Sequence, residues 1–175
     1  MANVPFPLIL TLQAYKERTM ALLKIVKESD NLEFLREKSR EVKEITPRIL
    51  TLLDDMVETM REANGCGLAA VQVGVLRRVV VIETEEGLFE LINPVIVNRT
   101  GTQEGVEGCL SLPGKWGITR RPQCVTVRYL DREGNEMELT GYDLLAKAIC
   151  HEVDHLDGII YTDKVIRMVG ADEIE

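Results

Sequence analysis

Apolar residues recur every three or four positions in two segments of the chain, and this spacing predicts two amphipathic helices. The first helix begins at Pro47, directly after Thr46, a residue suited to the N-cap, and it continues through Glu62. The second helix covers residues 142–156 and ends before Gly158. Residues 31–42 mix apolar and charged side chains without this period, so we expect a loop there.

Valine and isoleucine dominate three runs in the middle of the chain, with glycine, asparagine and proline between them. These runs predict strands over residues 78–84, 88–97 and 123–130. Residues 131–135 are typical of a hairpin turn, and residues 136–139 would form the returning strand. The order of elements indicates an α+β fold in which mostly antiparallel β-sheets pack around a central helix.

Length and composition fit one globular domain, with 175 residues of which 45% are apolar and 29% are charged. No run approaches the roughly 20 apolar residues of a membrane span, so we expect no membrane partner. The formal net charge of -8 argues against direct nucleic-acid binding. The four cysteines are scattered and no secretory signal precedes them, which indicates reduced thiols in a cytoplasmic protein.

The first nineteen residues differ from the rest, because Met20 and the residues after it read as a natural protein start. Lys16-Glu17 can be encoded by a purine-rich, ribosome-binding sequence a short distance upstream of the Met20 codon. We therefore expect residues 1–19 to be a translated leader or a misplaced start, and residues 20–175 to form one catalytic domain. A short mobile N-terminal arm is the alternative.

Both histidines of the chain lie in one run, His151-Glu152-Val153-Asp154-His155. Residues four apart project from the same face of a helix, so the two imidazoles can bind one metal ion. Glu152 lies beside them and is placed to transfer protons of water at that ion. The alternative is a surface helix whose charged face matches this spacing by chance.

A catalytic metal site needs a third protein ligand. A histidine six residues after His155 would complete one known pattern, but Tyr161 occupies that position. Too little chain follows for a second helix with a ligating glutamate. Cysteine is the better candidate: Cys66 and Cys109 both adjoin glycines, where backbones approach closely, whereas Cys150 would point about 100° away from its neighbouring histidine.

Three short segments of the chain stand out: Gly65-Cys66-Gly67-Leu68-Ala69-Ala70-Val71-Gln72, Glu107-Gly108-Cys109-Leu110-Ser111 and His151-Glu152-Val153-Asp154-His155-Leu156-Asp157-Gly158. In the same order, they resemble the three motifs that define bacterial peptide deformylases. The resemblance runs from about residue 20 to residue 164. It implies a deformylase-like α+β fold and a hydrolase that removes the formyl group from the N-terminal formylmethionine of newly made polypeptides, releasing formate.

The resemblance also implies roles for residues within the motifs. One divalent metal ion, Fe(II) in the cell with Zn, Ni or Co as alternatives, would be bound by Cys109, His151 and His155. Glu152 would transfer the proton, while the side-chain amide of Gln72 and the backbone N–H of Leu110 would stabilise the developing oxyanion. The partners would be N-formylmethionyl nascent peptides, met in transient proximity to the ribosome, although the acidic C-terminus disfavours docking through a basic tail.

The methionine side chain of such a substrate needs an apolar pocket. Leu144 and Ala148 precede the first histidine by seven and three residues, so they share its helix face and are candidates to line the pocket. Gly65, Cys66 and Gly67 are candidates to contact the substrate from the first motif. Ordinary core packing and tight backbone turns are the competing explanations for these five residues.

Four further residues each keep two interpretations. Gln72 either faces the substrate or only hydrogen-bonds a turn. Glu107 either supports the metal site from behind a ligand or forms a structural ion pair with an arginine such as Arg120. Asp154 either orients a histidine or is solvated. Trp116 lies in a loop, either at the cleft mouth or in surface packing.

Overall fold

Two antiparallel sheets and three α-helices make up most of the chain in the computed structural model, which describes residues 20–173. The helices are α1 (Glu28–Leu35), α2 (Pro47–Glu62) and α3 (Asp143–Leu156). Among the described residues, no helix has both the length and the apolar character that crossing a membrane requires. The leader predicted for residues 1–19 lies outside the described residues.

The strands are β1 (Gly67–Ala69), β2 (Val79–Thr84), β3 (Gly87–Thr100), β4 (Gln103–Cys109), β5 (Leu112–Arg121), β6 (Cys124–Leu130), β7 (Glu136–Tyr142) and β8 (Val165–Val169). One sheet has the order β1-β2-β3-β6-β7 and the other has the order β4-β5-β8. Every strand pair in both sheets is antiparallel. Three short 3₁₀ helices, Ala70–Val73, Tyr161–Lys164 and Ala171–Glu173, complete the described elements. The α+β fold predicted from the sequence is confirmed.

The apolar run at the start of β2 is continuous because helices cover both faces of the sheet there. Side chains alternate between the faces of a strand, so Val80 and Ile82 join the core formed with α3. Val79 and Val81 join the core formed with α2. All four side chains are fully buried. The two helices are thereby fixed against a common layer, and the position of α3 sets the position of the site.

Helix α3 lies at the centre of the fold, with Leu145, Ile149 and Val153 buried against the larger sheet. The chain leaves the helix through Gly158, whose φ of +74° is in the left-handed region. A β-carbon on Gly158 would lie 2.2 Å from the carbonyl oxygen of Arg36. Only glycine therefore satisfies both the backbone conformation and the close packing at this helix end.

The structure places a helix where the sequence predicted a loop, so the prediction for residues 31–42 is wrong for its first part. Helix α1 continues to Leu35, which is fully buried against Leu112, Ile160 and Tyr161. Asn31 has φ of −162° and interrupts the helical backbone. A helix this short and irregular leaves no periodic pattern for the sequence to reveal.

Four strands were not predicted: β1, β4, β5 and β8. Strands β4 and β5 carry glycine, proline and charged residues in place of the valine-rich pattern of β2. Trp116 lies within β5, so its predicted location in a loop is wrong. Strand β5 pairs with β4 on one side and β8 on the other, and β1 pairs with β2, so pairing stabilises these strands more than intrinsic preference does.

We expect Gly158→Ala to destabilise the protein by about 2–5 kcal/mol, because the steric conflict with Arg36 adds to the left-handed backbone cost. Gly74→Ala is the matched control, since Gly74 has φ of +81° but open space around its missing β-carbon. The control should lose only about 1–2 kcal/mol. Urea denaturation of both variants measures the difference, and equal losses would contradict the packing argument.

Candidate metal centre and active site

Helix α3 and strand β4 bring the three predicted metal ligands together. The Sγ atom of Cys109 lies 3.2 Å from Nε2 of His155, and this Nε2 lies 3.2 Å from Nε2 of His151. The three ligand atoms all lie within 4.8 Å of one another. Cys66, the other cysteine considered from the sequence, is not part of this cluster.

The spacing and chemistry of this cluster fit one cation. A four-coordinate ion with bonds of about 2.0–2.3 Å holds its ligand atoms about 3.3–3.7 Å apart, close to the two separations of 3.2 Å. A thiolate and two imidazoles are a donor set that suits Zn and Fe among the common metals. Both histidines are almost completely buried, and Nδ1 of His155 has no hydrogen-bond partner among the described residues.

His151 is oriented by a buried carboxylate. Its Nδ1 lies 2.5 Å from Oε1 of Glu107, which leaves Nε2 directed toward Cys109 and His155. Glu107 also accepts hydrogen bonds from two nitrogens of Arg121 and from the hydroxyl of Thr119. Although burial raises the pKa of Glu107, the hydrogen bonds from His151 and Arg121 outweigh it and hold that pKa well below its usual value.

The structure combines both interpretations of Glu107, since it contacts His151, a predicted metal ligand, and forms an ion pair. Its partner is Arg121 and not Arg120, which pairs with Glu104 at the surface. Among the described residues, Asp154 forms no hydrogen bond with a histidine ring. It pairs with Arg121 and with Lys164, so it supports the arginine that supports Glu107.

Sequence reasoning missed Thr119 and Arg121 because neither belongs to a motif. Both point inward from β5, whereas Arg120 between them is exposed. This alternation is the ordinary period of a strand. The signal was present, but it required the strand itself to be predicted first.

Glu152 lies beside the metal cluster in an unusual environment for a carboxylate. Its side chain is 4% exposed, and Oε2 has no hydrogen-bond partner among the described residues. Burial raises the pKa of Glu152 to about 7, the charge of Glu107 acts in the same direction, and His151 opposes both. A β-carbon on Gly67 would lie 2.3 Å from Oε1, so the glycine provides the space for this carboxylate.

Gln72 hydrogen-bonds a turn, as one of its two interpretations predicted, and its amide also reaches the metal cluster. Its Oε1 accepts a hydrogen bond from the backbone N–H of Ala69 at 2.8 Å, which fixes the turn. Its Nε2 donates to Oγ of Ser111 at 3.1 Å and to Sγ of Cys109 at 3.4 Å. The amide group is thereby held next to the metal cluster.

The N-terminal segment joins the loops that carry these groups. The backbone N–H of Val26 donates to the carbonyl of Gln72, and that of Glu28 donates to the carbonyl of Ser111, each at 2.8 Å. Between them, Nζ of Lys27 donates to the carbonyl of Leu110 at 2.7 Å. Three consecutive residues therefore hold the first and second motifs at a fixed position relative to each other.

A cleft of about 500 Å³ opens onto His151 and Glu152. Its lining includes every residue predicted to contact substrate or oxyanion: Gly65, Cys66, Gly67, Gln72, Leu110, Leu144 and Ala148. Ala148 also belongs to the buried core, whereas Leu144 is 50% exposed. A β-carbon on Gly65 would lie 2.6 Å from Cδ1 of Leu110, so this glycine permits the close approach of the two motifs.

Tyr161 occupies the position six residues after His155, where one known metal-binding pattern has a third histidine. Its side chain packs beside the site. Its ring stacks on that of His151 with centroids 5.9 Å apart. Its hydroxyl donates to the carbonyl of Lys115 at 2.9 Å. The side chain is 1% exposed and closes the site on this side.

This geometry belongs to the class of metal-dependent hydrolases, in which three protein ligands leave one position for water or substrate. Similarity to known proteins identifies the family within this class. Residues 22–170 match the sequence profile of the polypeptide deformylase family, which is most of the chain. The chain therefore belongs to that family, whose members remove the formyl group from N-terminal formylmethionine.

Relatives and solved structures agree with this membership. The chain is 59% identical over 141 residues to the peptide deformylase of Caldanaerobacter subterraneus, covering 81% of this chain and 89% of that protein. Its identity to the peptide deformylase of Acetivibrio thermocellus is 58% over 146 residues, covering 83% and 86%. A crystal structure of the Ehrlichia chaffeensis peptide deformylase in complex with actinonin superposes with a TM-score of 0.80 at 40% identity, covering 83% of this chain and 90% of that one.

We expect Glu107→Gln to weaken metal binding by about 10- to 100-fold, because the carboxylate that orients His151 is lost. Glu104→Gln is the matched control on the same strand, since Glu104 is exposed and pairs with the exposed Arg120. Competition against a chromophoric chelator with zinc measures both affinities. An equal effect of the two substitutions would contradict the orienting role of Glu107.

Proposed function

We propose that the cleft hydrolyses N-formylmethionyl peptides at one divalent cation held by Cys109, His151 and His155. The observation that carries this proposal is the convergence of these three ligand atoms beside the buried carboxylate of Glu152. Fe(II) is the cation that we propose for the cell, and Zn, Ni or Co suit the same donors. Bound there, the cation would supply Lewis acidity, which polarises a carbonyl and lowers the pKa of water.

Glu152 is the group that we propose to move the proton. Its Oε2 has no hydrogen-bond partner in the part of the chain that the structure describes, and a carboxylate with a pKa of about 7 can both accept and return a proton near neutral pH. It would take a proton from the attacking water as the C–O bond forms. It would return that proton to the methionine nitrogen as the C–N bond breaks, which yields formate and a free amine.

Gln72 and Leu110 are proposed to stabilise the negative oxygen that develops on the formyl carbon. The Gln72 amide donates to Sγ of Cys109 at 3.4 Å, and sulfur is a weak acceptor. An oxyanion would therefore be a stronger partner for that N–H. The backbone N–H of Leu110 follows the cysteine ligand directly, and removing one donor of this kind commonly costs about 10²–10³-fold in rate.

Two edge strands suit the cleft to an extended peptide. Strands β1 and β4 each lie at the end of a sheet, and residues from both line the cleft. An extended chain can add to such an edge through backbone hydrogen bonds. Leu144, Ala148 and Cys66 offer apolar surface for the methionine side chain, while Gly65 and Gly67 keep side chains out of the peptide path.

The cellular setting follows from the substrate. We propose that residues 20–175 act as one catalytic domain in the cytoplasm, transiently near the ribosome, where formylated chains emerge. The four cysteines are all unpaired, and a thiolate ligand at Cys109 requires a reducing compartment.

Formate release from formyl-Met-Ala-Ser, compared with acetate release from acetyl-Met-Ala-Ser, tests the reaction. We expect turnover of the formyl peptide by enzyme purified without oxygen, and at least about 100-fold slower turnover of the acetyl peptide. The extra methyl group must enter the space between the oxyanion donors and Glu152, and small misplacements of this kind can cost about 10²-fold. Equal rates would indicate a general amide hydrolase.

Glu152→Gln tests the proton-transfer role. We expect kcat to fall by about 10²–10⁴-fold while one metal ion per chain remains bound, because the ligands themselves are unchanged. Glu58→Gln, on an outward position of α2, serves as the control and should retain wild-type kcat. Turnover near the wild-type level in Glu152→Gln would contradict the assignment.

A further inference from the structure

Two lysines at the cleft have no acidic partner within residues 20–173. Lys27, Lys115 and Lys147 all line the cleft, and of these three Lys115 forms an ion pair within that range, with Glu28 at 2.5 Å. No carboxylate among the described residues lies within ion-pair distance of Lys27 or Lys147. The two glutamates in the lining are both buried below the surface. In a chain with net charge -8, the mouth of the cleft is therefore locally positive.

Lys147 holds its charge at a fixed place over the edge strand. It is half-buried on α3, one turn before His151. Its Nζ donates to the carbonyl of Val106 at 2.9 Å and would lie 3.5 Å from a β-carbon on Gly105. One N–H of the ammonium group is engaged by that carbonyl, so two remain for another acceptor.

The distance from the metal ligands decides which part of a peptide meets this charge. Val106 precedes Cys109 by three residues of strand, which is about 10 Å at 3.3 Å per residue. A peptide whose formyl group lies at the metal cluster and whose chain runs along β4 reaches this point at its second or third residue. Lys27 lies nearer the reacting end, since its ammonium group is bound to the carbonyl of Leu110.

We propose that Lys147 is a specificity-determining residue, which favours formylmethionyl peptides that carry an acidic side chain at their second or third position. This inference rests on the proposed function of the cleft. A carboxylate there would form an ion pair with Lys147, which has no acidic partner among the described residues. The preference is local, because the rest of the chain is acidic and would not attract such a peptide.

Two isosteric pairs of peptides test the preference: formyl-Met-Glu-Ser with formyl-Met-Gln-Ser, and formyl-Met-Ala-Glu with formyl-Met-Ala-Gln. In the wild-type enzyme we expect kcat/KM for the Glu member of at least one pair to exceed that of its Gln member by about two- to five-fold. The difference should lie in KM with kcat nearly equal, because the ion pair is present in the ground state and the transition state alike.

Substitutions at Lys147 assign the preference to this side chain. We expect Lys147→Gln to bring the Glu-to-Gln ratio to about one and Lys147→Glu to invert it, while Lys147→Arg keeps the wild-type ratio. Lys43→Gln is the control, because Lys43 is exposed and does not line the cleft, and it should also keep that ratio.

Three outcomes would overturn the inference. A wild-type ratio of one in both pairs would do so, and so would an unchanged ratio in Lys147→Gln or the loss of the ratio in Lys147→Arg. If the enzyme hydrolyses none of the four peptides, the proposed function is overturned and this inference with it. Hydrolysis at equal rates would overturn the inference alone.

Discussion

The buried ion pair of Glu107 and Arg121 is the interaction on which the site depends. Both residues belong to the smaller sheet, and both contact α3: Glu107 through His151, and Arg121 through Asp154. The opposite side of α3 is held by apolar packing against the larger sheet. Because removing one partner of a buried pair leaves an uncompensated charge, the network fixes the distance between the smaller sheet and the helix. The position of Cys109 relative to the two histidines depends on this distance, because Cys109 lies on the smaller sheet and the histidines lie on α3.

Two glutamates in this small volume have pKa values that their surroundings shift in opposite directions. Glu107 accepts hydrogen bonds from charged and polar donors, which stabilise its ionised form and lower its pKa. Glu152 is equally buried, but its Oε2 has no hydrogen-bond partner among the described residues, and burial raises its pKa. Pairs of titratable groups whose environments separate them in this way are typical of divided roles, with one group structural and one exchanging protons. The glycine at position 67 makes the second environment possible, because any side chain there would displace the carboxylate.

The sequence predicted an element correctly where the spacing of its apolar residues was regular, and it failed where that spacing was irregular. Helices α2 and α3 follow a clear period of buried residues, and their observed bounds match the predicted ones closely. Strands β4 and β5 lack such a pattern, because glycines and charges serve the site and the ion pair there. For the same reason Arg120 and Arg121 could not be distinguished, since neighbouring residues on an unrecognised strand have no assigned face. Proximity of Cys109 to the histidines is a property of the three-dimensional fold, which spacing along the chain could not decide against Cys66.

The segment from Val26 to Glu28 has a consequence for the order in which the protein folds. It bonds to the first motif and to residues about Ser111, and Lys27 is 83 positions from Leu110. Cys109 is in turn 46 positions from His155. Because these contacts join distant parts of the chain, their closure is slow compared with local structure. During synthesis, residues 26–28 are made well before Leu110 and Ser111, and Cys109 is made before His155. The cluster of three ligand atoms is thus completed only after His155 has been translated.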